Sequence, residues 1–141
     1  MDDATLAMTL ARGRTAIGAF AVVTPGLATR KFFGRATAEG VEPQLTRMVG
    51  GRDLALGLGT VIALDKGTPV RGWLEASAFA DAADCVSALL GRKQMSQSAF
   101  VGTLLLTSLS AAACVFLGRR LDPSPAAHPG QPEAVVTGHH D

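Results

Sequence analysis

Tyrosine and asparagine are missing from this 141-residue chain, and Trp73 is its one tryptophan. Large aromatic rings therefore add little buried area to any core. The two cysteines, Cys85 and Cys114, are too few to staple a chain of this length, which excludes a disulfide scaffold. All three histidines, His128, His139 and His140, fall near the C-terminus. The remainder has no imidazole to act as a base or metal ligand, which removes most hydrolase schemes. Charge is scarce as well. Thirteen basic residues against twelve acidic ones leave a net +1, without the electrostatic footprint that nucleic-acid binding requires.

What is abundant is small and apolar: 48% of residues are hydrophobic, 16 are glycine, and the mean hydropathy is +0.27. The length allows one domain. The clearest segment is Met95 to Gly118, which holds no charged residue and is followed at once by Arg119 and Arg120. A helix rising about 1.5 Å per residue needs roughly 20 residues to cross a bilayer core, so this stretch has the length of a span with an interfacial anchor.

Three weaker apolar segments precede it. The first helix is expected over about 6–27, where Pro25-Gly26 kinks or ends it and Arg30, Lys31, Phe32 and Phe33 read as an anchor. The second covers about 45–64 and ends in the turn Asp65-Lys66-Gly67-Thr68-Pro69. The third covers about 71–91, with Trp73 near one end and Arg92-Lys93 at the other; the fourth covers 95–118. No period-two alternation competes for strands. Residues 122–141 carry Pro123, Pro125, Pro129 and Pro132 without apolar periodicity and read as a disordered tail. The start, Met1-Asp2-Asp3, is acidic where a cleavable signal has a positive segment, so the first helix is expected to stay attached. The expected fold is all-α: a four-helix transmembrane bundle over 1–121, with short connections and a disordered C-terminal tail.

A soluble all-helical bundle is the competing architecture. Asp81 and Asp84 lie near the centre of the third helix, and each costs about 2.5–3.5 kcal/mol if shown to lipid. Yet the fourth helix offers water only Thr103, Thr107, Ser108 and Ser110, and the first carries no charge between Arg14 and Arg30. Those faces favour lipid. Basic residues at the two ends of the spans number four and five, so orientation is undecided.

The charges within the spans are the candidate functional residues. Asp53 shares a helical face with Gly50, Gly57 and Thr60, a small and polar stripe suited to close helix packing. Ser77, Asp81, Asp84 and Ala88 share a face on the next helix, and the tight connection predicts that the two stripes meet. A buried network is expected in which Arg52, with Arg14 of the first helix, neutralises Asp53, Asp81 and Asp84. Three acids against one or two arginines leave an Asp free to titrate, the raw material of a proton relay. Glu75 pairs with Arg71 four residues earlier. Cys85 and Cys114 have no metal-ligand spacing, and Gly57-Leu58-Gly59 lacks the context of a nucleotide loop. No metal, cofactor or catalytic set is expected.

The run Gly50-Gly51-Arg52-Asp53-Leu54-Ala55-Leu56-Gly57-Leu58 follows a helix, a proline and Phe33-Gly34, and an intramembrane Asp comes some thirty residues later. This pattern resembles a family of small bacterial four-helix membrane proteins, a domain of unknown function with a Gly-x-Arg-Asp-x-x-x-Gly element and a general build similar to DoxX-like proteins. The resemblance covers about 11–121. It implies a multi-pass protein of the bacterial plasma membrane, with the element opening the second helix and an acidic residue, Asp84 or else Asp81, on the third. Asp81 as a second acid departs from a one-to-one Arg–Asp pairing. The functions expected, in order, are an accessory or structural membrane subunit, a small proton-coupled carrier acting as a homo-oligomer, and an enzyme. The expected partners are the lipid bilayer and either another membrane protein or further copies of the chain.

Overall fold

A computed structural model describes residues 2–33 and 41–121, and they are all-helical, with no strand among them. The order is α1 (Asp3–Val23), α2 (Pro25–Phe33), α3 (Val41–Asp65), α4 (Arg71–Leu90), one turn of 3-10 helix (Arg92–Gln94) and α5 (Gln97–Leu121). The expected tail, 122–141, lies outside the described residues.

Among the described residues five α-helices stand where the sequence predicts four. The expected first helix divides at Thr24, whose φ of −126° and ψ of 58° leave the helical region. The cause is local. The ring of Pro25 crowds the residue before it out of the α conformation, while proline itself suits a first helical position, where no backbone donor is needed. The other end of α1 is capped by Asp2, whose carboxylate accepts from the Thr5 N–H at 2.7 Å. That bond holds the Asp2 carboxyl below the usual carboxylate range, so the cap is complete at neutral pH and is lost only as pH falls below that range, through the lowered pKa. The α3–α4 connection closes as a Schellman motif. Gly67 takes φ +61°, Thr68 N–H reaches Ala63 O at 2.9 Å, and Gly67 N–H reaches Leu64 O at 3.3 Å.

The helices associate as two pairs, α1 with α3 and α4 with α5, and contacts between the pairs are sparse. The expectation that the small stripes of α3 and α4 meet each other is therefore corrected. Gly50 and Gly57 pack on α1, against Gly18 and Ala21 and against Ala11 and Thr15 respectively. A Cβ on Gly50 would stand 2.9 Å from Gly18 O, and one on Gly57 would stand 2.7 Å from Thr15 N and 2.8 Å from Ala11 O. The physical reason is that α1 presents its own small stripe, Ala11, Thr15, Gly18 and Ala21. Two bare helix faces approach more closely than either could approach the ionised face of α4.

Burial follows the same logic. Most buried apolar residues are alanines, including Ala7, Ala11, Ala21, Ala28, Ala63, Ala78, Ala80 and Ala88. Leu74 and Leu117 join Ala7, Ala63, Val70, Ala78 and Cys114 in a cluster at the end of the bundle that holds the α3–α4 turn. The large side chains point outward: Phe79 is 78% exposed, Leu90 82% and Leu109 69%. Two helices, Asp3–Val23 and Gln97–Leu121, are long and apolar enough to cross a membrane. Of their most apolar windows, 22% and 17% are buried within the fold.

These contacts predict opposite results at two adjacent kinds of glycine. Gly57→Val forces backbone apart and should cost about 1–3 kcal/mol or more in unfolding of the purified protein in micelles. Gly51→Ala meets nothing within 4 Å and should leave stability unchanged or raise it, by at most about 1 kcal/mol, through helix propensity. Equal behaviour of the two variants would contradict the close α1–α3 packing.

Candidate functional site: an arginine–aspartate network between the helix pairs

Arg52 and Asp53 are neighbours on α3, so their side chains leave the helix about 100° apart and reach different partners. Asp53 turns to α1, where its Oδ1 accepts from Arg14 Nη1 at 2.9 Å. Arg52 turns to α4 and donates through both terminal nitrogens to Asp84, at 3.0 Å to Oδ1 and 2.7 Å to Oδ2. It also donates to its own neighbour, with Nε and Nη2 at 3.3 and 3.1 Å from Asp53 Oδ1. Arg14 completes the chain by donating to Asp81 Oδ2 at 2.5 Å and to Ser110 Oγ of α5 at 3.1 Å. The order is Asp81, Arg14, Asp53, Arg52, Asp84, with the sign alternating at each step. All four long helices contribute.

The five charged residues expected from the sequence thus come together, with the weight differently placed. Arg14 is the more enclosed cation, 11% exposed at its side chain against 32% for Arg52, and it alone joins acids from two other helices. Asp81, the departure from a one-to-one pairing, is the most buried acid, 6% exposed against 18% for Asp53 and 29% for Asp84. Each of Asp81 and Asp84 has an arginine of its own, and Asp53 is shared by both. Three carboxylates and two guanidiniums leave the network one negative charge. Arg71 and Glu75 pair at 2.6 Å on the outer surface, away from this site.

Of the small residues expected to serve helix packing, Gly57 packs on α1, Gly50 packs on α1 and also borders the space between the helix pairs, and Thr60 and Ser77, each 2% exposed, line that space. That space is a cavity of about 890 Å³. Arg14, Asp53, Asp81 and Asp84 border it, and most of its wall is apolar, with Leu10, Ile17, Val49 and Leu106 among the lining side chains. The sequence reading counted Thr103, Thr107, Ser108 and Ser110 as the few polar groups of the last helix and gave them no place; Thr103, Thr107 and Ser110 line the cavity. The signal was available. Thr103, Thr107, Ser110 and Cys114 recur at spacings of four, three and four, which is one helical stripe. Cys85 Sγ lies 2.8 Å from Thr107 Oγ1, tying α4 to α5 through a polar contact. Thr29 and Thr46, 2.7 Å apart, do the same for α2 and α3 and were also missed.

The arrangement can hold charge in a poorly hydrated place and can present carboxylate oxygens to a cavity. Among the described residues no group of three or more His, Cys, Asp or Glu is disposed to hold a metal ion. No family model matches the chain, and comparisons with curated proteins and with solved structures find no match.

Removing one member of a buried pair strands its partners without a counter-charge, typically at about 3–5 kcal/mol. Arg14→Met, which abandons Asp81 entirely and half-abandons Asp53, should lose that much in denaturant titration of the micellar protein. Arg52→Met, at a side chain 32% exposed against 11% for Arg14, should lose less. Arg71→Met on the exposed pair should stay within about 0.5 kcal/mol. An Arg14→Met protein as stable as the Arg71 variant would remove the network from its central role.

Proposed function

We propose that the chain is a small multi-pass integral protein of a bacterial plasma membrane, acting as an accessory or structural subunit whose Arg/Asp network clamps two helix pairs together. One observation carries this reading: the apolarity is inverted, with alanine and ionised groups inside and Leu, Phe, Val and Ile outside. In water, each outward leucine forfeits roughly 1.5–3 kcal/mol of burial; in lipid the same side chain is at home, and the charges must find one another inside. The ends of α5 support it. Arg92 stacks on Phe100 with 5.3 Å to the ring centroid, and Arg120 on Phe116 with 4.5 Å, so a cation and a ring bracket the uncharged stretch as interfacial anchors do. The resemblance of the Gly50–Leu58 run to small bacterial four-helix membrane proteins agrees with the same reading.

A second reading, a small proton-coupled carrier, is favoured by the cavity. One chain forms an open cavity of about 890 Å³ lined by four acidic residues, Glu42, Asp53, Asp81 and Asp84, so a single copy already offers room for a small solute.

The protein should stay in the membrane pellet through alkaline carbonate washing and leave it only with detergent; recovery in the detergent-free supernatant would end the membrane reading. Within the membrane fraction, Asp84→Asn should lower accumulation several-fold, as a loss of about 1–2 kcal/mol does for a marginally stable protein. Normal accumulation of Asp84→Asn, joined to loss of a proton or solute flux in proteoliposomes, would replace the structural role with the carrier.

A further inference from the structure

The cavity is more than the space left between two helix pairs, because its polar equipment is specific. Asp81 is 4% exposed and spends one oxygen, Oδ2, on Arg14; among the described residues nothing donates a hydrogen bond to its Oδ1. Asp53 repeats the pattern. All three of its hydrogen bonds converge on Oδ1, and its Oδ2 accepts none from the described residues. Both residues line the cavity. Neither oxygen is sealed off, since no buried side-chain oxygen among the described residues lacks a partner, so each is open to the cavity and keeps acceptor capacity for a donor that enters it. Two such oxygens face one space, and the network they belong to carries one uncompensated negative charge.

The route in has a different character. Ile17, Val49, Leu90 and Leu106 line the same cavity and are also exposed on the outer surface, at 41%, 43%, 82% and 57%. Thr9, Ser87 and Gln94 are exposed liners as well, so the mouth is amphipathic: an apolar flank that the proposed function puts in lipid meets a polar end of the bundle beside Gln94. An amphiphile is well suited to such an entrance, since its apolar body can cross the apolar flank while a single cationic head is drawn to the carboxylates. The volume, about 890 Å³, lies within the range of roughly 300–1,000 Å³ that takes small organic ligands.

We infer that this cavity is a binding site for a monovalent organic cation with an apolar body, whose ammonium-type head donates to Asp81 Oδ1 and Asp53 Oδ2. Charge complementarity selects the head: a cation neutralises the network, a neutral head leaves it negative, and an anion doubles the excess. The inference rests on the membrane reading for the route of entry. It is independent of whether the occupant is then transported.

The test uses the full chain in nanodiscs of phosphatidylcholine, a zwitterionic lipid that does not itself concentrate cations, with empty nanodiscs as the blank. The probe is 2-naphthylmethylammonium, titrated calorimetrically beside 2-naphthylmethanol and 2-naphthylacetate, which share the ring system. One saturable site is expected for the cation, with affinity about tenfold to a hundredfold above that of the alcohol, the range a charged hydrogen bond supplies, and still weaker binding of the carboxylate. Asp81→Asn should bring the cation down to the level of the alcohol and leave the alcohol unchanged. Thr103→Phe puts a ring into the cavity without removing an ionised group and should lower the affinity for both by about tenfold; it decides the matter if the Asp81 variant does not fold. Equal affinity for cation and alcohol, absence of saturable cation binding, or undiminished cation affinity in Thr103→Phe would each overturn the inference. Saturable binding without counterflow of the cation in proteoliposomes would uphold the site and sink the carrier reading instead.

Discussion

Arg14 holds the bundle together from its centre. It reaches from α1 to Asp53 on α3, Asp81 on α4 and Ser110 on α5, so every long helix is tied to one guanidinium. Only arginine has the shape for this, a planar fork with several donors and a charge that persists when water is excluded. Arg52 extends the connection through its two-pronged contact with Asp84, and Asp53 sits between the two cations. Whether such a network adds net stability depends on what the charges lost when they left water. What it certainly supplies is register, because any slip of one helix strands ionised groups in an apolar surrounding.

The network also explains how the helices divide the work of packing. α1 and α3 close on each other through Gly18, Gly50 and Gly57, at distances that admit no side chain. Having met there, they hold the two pairs apart at the ionised layer, where guanidinium and carboxylate groups need room. The cavity is the geometric result: it is bounded at one end by the Leu74–Leu117 cluster and crossed by the network midway. A dry contact such as Gly57 on Thr15 and a polar gap such as that beside Asp81 are therefore two consequences of one arrangement. Small residues permit contact where nothing is charged, and charge enforces distance where it must be paired.

Lipid as solvent reconciles features that conflict in water. A core made largely of alanine buries little apolar area per residue, and Phe79, Leu90 and Leu109 stand outward with large apolar surface uncovered. In a bilayer neither is a defect, since close van der Waals contact and internal polar bonds replace apolar burial as the forces between helices. The threonine and serine hydroxyls turned inward on α5 and the Thr29–Thr46 pair belong to the same economy of internal hydrogen bonds.

Much of this was legible in the order of residues. The uncharged stretch ending at Arg119, the break at Pro25, the Gly67 turn and the sharing of faces by Asp53 with Gly50 and by Asp81 with Asp84 all follow from helix period and residue chemistry, which act locally. So does the conclusion that isolated charges on apolar helices must find partners. What only the tertiary structure decided is which partners. Helix pairing across the bundle, α1 with α3 rather than α3 with α4, depends on the match between two small stripes forty residues apart. Arg14 becomes the hub because that pairing carries it to the middle, and Ser110 faces inward because α5 then packs on α4. Periodicity states which side of a helix a residue occupies; it contains no information about what stands opposite, and that is settled by the competition among all faces for the closest fit.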